Sequence, residues 1–133
     1  MKFEALCKSL EEKIQKSYEE GVTLEDAEKL AGEFLYAQIQ VSSELKKSDL
    51  DSRMRKSGVK AIKAAIYSEA CSKSDKKPTE SALEHILNLN ELVQGEQEAL
   101  DNAEASRDEL SRYYSIFQNA HIHFRGIAKG KFE

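Results

Sequence analysis

Arg53, Lys56, Lys60 and Lys63 stand at i, i+3, i+7 and i+10, a spacing that gathers four cations within about an 80° arc of an α-helix. Tyr67 falls in the same arc one turn later, and Asp49 bounds it one turn before Arg53. A ladder of cations with one aromatic suits a polyanion, and single-stranded nucleic acid best. The cations contact successive phosphates, and the ring offers a stacking face worth about 1–3 kcal/mol per base. Lys73, Lys76 and Lys77 extend the positive run into the following segment. No constellation for reading base edges accompanies the ladder, so the expected binding ignores nucleotide sequence. The alternative reading of the same residues is a solvated helix face. What favours the ladder is segregation: residues 46–77 hold ten of the twenty Lys and Arg but only four of the twenty-four Asp and Glu, in a chain of net charge −4. A summed charge steers no ligand, whereas a local field does.

The other dense chemistry lies near the C-terminus. Tyr113, Tyr114, Phe117, His121, His123 and Phe124 precede Arg125, Lys129 and Lys131. The three cations are candidate secondary phosphate contacts; the other reading is that they offset the negative end of a helix dipole. His121 shares a helical seam with the aromatics and reads as a core or interface histidine. His121 and His123 are two residues apart and point to different helix faces, which argues against a shared metal. No phosphate-binding Gly-rich loop, Gly-x-Ser-x-Gly, His-Glu-x-x-His or Glu-x-x-His occurs. No catalytic residue, cofactor or metal is therefore assigned, and the chain reads as a non-enzyme. Cys7 and Cys71 are far apart without Cys-x-x-Cys spacing and read as two buried free thiols in a reducing compartment, a structural disulfide being the alternative.

These groups must be positioned by helices. One Pro, six Gly, no Trp, 33 % charged residues and a mean hydropathy of −0.62 predict an all-α chain with narrow apolar stripes. A single helical domain over residues 1–133 is expected. A short helix spans about 2–20 and stops at Gly21; Thr23 and Asp26 then form a cap for a long arm over about 24–72. That arm is either unbroken or kinked near Ser48. Across from the ladder, Met54, Ala61, Ile62, Ala65 and Ile66 are predicted to face a core. The polar run at 72–78 holds the only Pro and is the turn, and Thr79 caps a second long helix over about 79–128. Gly126 is a candidate end for that helix, with a short tail beyond.

Along residues 79–128 a heptad places Val93, Leu100, Leu110, Tyr114, Phe117 and Phe124 on one seam, interrupted at Glu96, Arg107 and His121. About fifty helical residues span roughly 75 Å. The expected solution is a long antiparallel helical hairpin with coiled-coil packing, completed by a homo-oligomer along that seam. The amphipathic, acidic N-terminal segment does not read as a signal peptide, and no apolar run reaches membrane-spanning length. A soluble cytoplasmic protein without membrane contact is expected.

The helix from Arg53 to Ser74, the stretch Lys77-Pro78-Thr79-Glu80-Ser81-Ala82 with Ile86-Leu87 and Glu91-Leu92-Val93, and the long helix ending in Phe124-Arg125-Gly126 together resemble the UvsY-type recombination mediators of tailed phages. The resemblance covers residues 30–129 at the level of pattern. It implies an all-helical, ring-forming subunit in the cytoplasm of an infected bacterium. Such a subunit binds single-stranded DNA and helps a RecA-like recombinase displace single-strand-binding protein. The family's DNA contacts map onto Lys56, Lys60 and Lys63. The alternative class is a phage protein–protein module, an anti-defence inhibitor or virion-assembly helper, working through its acidic helices.

Overall fold

The computed structural model describes residues 2–73 and 77–130. Four helices account for 93 % of these residues, with no strand among them: α1 (Lys2–Glu20), α2 (Leu24–Lys73), α3 (Glu80–Leu89) and α4 (Glu91–Ala128). The two long helices, α2 and α4, pack against each other as a hairpin.

Local chemistry sets the boundaries. Gly21, at φ +78°, ends α1, a backbone geometry that costs glycine little because it lacks Cβ. The Thr23 hydroxyl accepts from Asp26 N at 3.1 Å and starts α2. Past that point α2 runs as one helix through Ser48 and Gly58, so it does not end at either residue. Its interior serines do not compete with the helix: Ser52 and Ser72 donate their hydroxyls back to Asp49 O and Glu69 O. Thr79 caps α3 as expected, accepting from Ala82 N at 3.1 Å.

One expected helix is two. The predicted helix over 79–128 is interrupted at Asn90, which is extended at φ −81° and ψ 114°. Asn90 stops α3 by donating its backbone N–H to Leu87 O at 3.3 Å. Its side-chain Oδ1 accepts from Val93 N at 3.0 Å, so the same residue caps α4. Asparagine suits this position because its short side chain satisfies an orphan N–H that a helix start leaves open. Gly126 does not end α4. It is buried inside the last turn, and the helix stops at Gly130, φ +70°.

By packing, the chain expected as one domain groups into two units that share the long helices. The first comprises α1, α2 through Leu45 and α4 from Glu109; the second comprises α2 from Lys46, α3 and α4 through Asp108. The first unit holds the main core. Cys7 and Leu10 of α1 meet Ala27, Ala31, Phe34, Ala37 and Val41 of α2 and Tyr113, Phe117, Ala120 and Phe124 of α4. Small alanines on α2 let the aromatics of α4 approach closely, and Phe34 is held between Phe117 and Phe124, each at 5.6 Å. Polar links pin the helices around this core. Lys13 pairs with Glu33 at 2.8 Å, Gln38 donates to the Tyr114 hydroxyl at 3.2 Å, and Arg112 reaches Glu11 at 3.5 Å.

The second unit is thinner. Among its described residues Ser52 and Val59 on α2 and Val93 and Leu100 on α4 are buried, and α3 buries none. Arg107, one of the interruptions in the seam, donates to the Ser52 hydroxyl at 3.4 Å.

The residues expected to join subunits are used within the chain. Val93, Leu100, Phe117 and Phe124 are buried, and Leu110 and Tyr114 are half-buried. An isolated α4 would need a second copy to cover this seam, but α2 already covers it.

Candidate nucleic-acid interface

The cation ladder lies on α2 within the second unit, over a stretch that is helical throughout. Lysine, arginine and alanine are good helix formers, and three i,i+4 acid–base pairs reinforce the helix in the favourable order, acid first. These are Asp49–Arg53 at 3.0 Å, Asp51–Arg55 at 3.1 Å and Glu69–Lys73 at 2.7 Å. The pairing lowers the Glu69 carboxyl and raises the Lys73 ammonium from their ordinary values, through the hydrogen bond between them first and their opposite charges second.

Three of the four acids in residues 46–77 are thus engaged with three of the cations, and the fourth, Asp75, lies outside the described residues. Lys56, Lys60 and Lys63 have no ion pair among the described residues. Lys56 and Lys60 are exposed. Arg53 is exposed at 77 % of its side chain but already holds Asp49.

The helix is rotated from the expected orientation. Ser52 and Val59 point inward, with Ile62 and Ile66 half-buried beside them, whereas Met54 is 65 % exposed and Ala61 and Ala65 face solvent. The ladder therefore sits on the shoulder of the inward face. Lys63 and Tyr67, about 20° and 60° around the helix from Ser52, are half-buried rather than fully presented. Tyr67 offers only part of a ring for stacking. Periodicity located the ladder but placed the core about a quarter turn away, because alanines at 61 and 65 look apolar yet lose little by facing water.

Charge around the ladder is mixed. Within the same unit, α4 carries Glu91, Glu96, Glu98, Asp101, Glu104 and Asp108 against Arg107 alone. No ladder lysine is ion-paired with these acids among the described residues. Lys77 is exposed beyond α2, and Lys76 is outside the described residues. Of the secondary candidates, Arg125 and Lys129 are exposed at the end of α4, where Arg125 lies in the last turn and complements the helix dipole; Lys131 is outside the described residues.

Other chemically suggestive groups are accounted for by packing. His121 is half-buried, with Nδ1 2.9 Å from Ala31 O; that contact makes Nδ1 the protonated donor. The His123 ring lies against Tyr18 and Phe124. Both cysteines are free. Burial pushes the Cys7 thiol up to about 11, with Glu11, Glu109 and Glu4 adding to it, so Cys7 is a protonated core residue and not a nucleophile.

Beside Cys7, a cluster that sequence spacing did not signal joins α1 to α4. Arg112 binds Glu109 at 2.7 Å, reaches Glu11 and lies 4.6 Å over the Tyr113 ring. An open cleft of about 480 Å³ near the α1–α2 junction is lined by Lys13, Lys16 and Lys29 with Glu20, Asp26 and Glu33. Its charges balance, so it favours no anion. Among the described residues no cluster of His, Cys, Asp or Glu has the makings of a metal site, and no helix is long and apolar enough to cross a membrane. Compared with known proteins, the chain matches no family model, no curated protein and no solved structure.

Proposed function

We propose that this chain is a non-enzymatic helical protein that binds single-stranded nucleic acid without sequence preference, through the α2 face carrying Arg53, Lys56 and Lys60. The observation that carries the reading is that residues 53–67 form continuous helix, with Lys56 and Lys60 exposed and without an ion pair among the described residues. Helix rise sets these cations about 4.5–6 Å apart along the axis, within the span of successive phosphates on an extended single strand. The resemblance to UvsY-type mediators adds the role of an accessory to recombination or replication. The chain would then work beside a RecA-like recombinase or a single-strand-binding protein.

Titrating fluorescent oligo-dT at 50 and 200 mM salt tests the binding, which must weaken as salt rises. A second reading, a protein–protein module, draws on the six acids of α4 between Glu91 and Asp108. It takes over when oligo-dT fails to bind even at the lower salt.

A further inference from the structure

Within the second unit, the 3.4 Å contact between Arg107 and Ser52 marks where α2 and α4 face each other. Around α2 from Ser52, at 100° per residue, Lys63, Lys56 and Lys60 lie at about 20°, 40° and 80°. Around α4 from Arg107 in the same sense, Glu104, Asp108 and Asp101 lie at about 60°, 100° and 120°. The helices of a hairpin run antiparallel, so equal turns in one sense bring side chains to the same side of the pair. One side of the second unit therefore sorts charge by helix, with a basic row on α2 and an acidic row on α4. Lys56, Lys60, Asp101 and Asp108 are exposed there, and Lys63 and Glu104 are half-buried.

The rows are also level with each other. Counted residue for residue from the Ser52–Arg107 contact, Lys56 is level with Ala103 and Lys60 with Ala99. Glu104 and Asp101 stand one and two residues from those positions, within about 3 Å along the axis. No ion pair joins the rows within the chain among the described residues. A face of this kind is complementary to itself. A second copy turned by 180° about an axis parallel to the helices sets its acidic row on this basic row at the same level, and the converse on the other helix. Turned about an axis across the helices, it sets like charge on like and is repelled.

We infer that a second copy of this chain docks on this side of the second unit, α2 of each copy lying on α4 of the other. Lys56 then faces the second copy's Glu104, and Lys60 faces its Asp101. Charge complementarity names the occupant, because both halves of the contact are present in one chain and in matching register. The contact is polar, so it is weak and sensitive to salt. It covers Lys56 and Lys60, so nucleic acid and the second copy compete for them. The pairing is tested without nucleic acid and stands or falls apart from the binding proposed above.

Sedimentation equilibrium of the full chain at hundreds of micromolar should show a monomer–dimer equilibrium at about 50 mM salt. It should shift to monomer at about 1 M, where the screening length is about 3 Å. Lys56→Glu with Lys60→Glu, and separately Asp101→Lys with Glu104→Lys, should each weaken the dimer at least roughly tenfold at the lower salt. All four substitutions in one chain exchange the rows and leave the net charge at −4, and that variant should dimerise again. Its recovery separates pairing of the rows from general repulsion, and helical circular dichroism of each variant separates it from loss of folding. A wild type that is monomeric at the lower salt, a dimer indifferent to both double substitutions, or a helical fourfold variant that stays monomeric would overturn the proposal.

Discussion

Replacing Lys56 and Lys60 together by alanine isolates the electrostatics of the ladder. Each side chain is exposed and has no ion pair among the described residues, so each is available to displace one condensed counterion from a single strand. At about 0.7 per contact, two contacts give a slope near −1.4 in log affinity against log salt, a loss of about sevenfold between 50 and 200 mM. The double variant should bind oligo-dT more weakly at the lower salt and lose almost all of that dependence. Arg53 supplies the converse. Its guanidinium is 3.0 Å from Asp49, which already neutralises it, so Asp49→Asn should free a third contact and steepen the loss to about eighteenfold. Fluorescence anisotropy across a salt series, with circular dichroism to confirm that α2 stays helical, measures both. An unchanged slope in the double variant, or no steepening in Asp49→Asn, would refute the assignment of phosphate contacts to this face.

Three further outcomes follow from the packing. Phe34→Ala empties a fully buried site between Phe117 and Phe124 and should cost about 3–5 kcal/mol in urea unfolding; a loss well below that would mean the core repacks. Asn90→Ala removes the Oδ1 cap of α4 and should cost about 1 kcal/mol, and a stabilised variant would show that the break between α3 and α4 is not held by this cap. Because the Cys7 thiol is raised to about 11 from an ordinary 9.0, it favours the folded chain below pH 9, and that contribution is lost as pH rises through about 11. Alkaline unfolding should therefore be shallower in Cys7→Ala, and at pH 8 iodoacetamide should label Cys71 well before Cys7 in the native protein.

Much of the architecture was legible because it depends on neighbours in sequence. Gly21, Thr23 and Thr79 act within one helical turn, and their side chains or φ angles stop and start helices with little reference to the rest of the chain. The heptad along residues 79–128 likewise marked the side of α4 that must be covered. Two of its interruptions are the points where α4 meets polar atoms of α2: Arg107 reaches the Ser52 hydroxyl, and His121 meets Ala31 O. Read alone, those interruptions look like flaws in a seam; in the fold they are where polar groups on the facing helix are satisfied. Asn90 was readable in principle, since Asn is a strong capping residue, but the uninterrupted apolar spacing around it masked the break.

What the amino-acid order determined by itself is helix: its presence, the boundaries at Gly21, Thr23 and Thr79, and which residues share a face, because these follow from backbone geometry over a few residues. Which face is inward was decided only by the tertiary packing. The partner helix sets the rotation of α2 by burying Ser52 and Val59, and this places Lys63 and Tyr67 at the edge of the contact instead of in open water. The same packing turned α4's aromatic seam inward onto α2, and it left Tyr36, Ile39, Leu50 and Met54 of α2 exposed. Burial is a free energy shared between two surfaces, and one helix's periodicity carries only half of it.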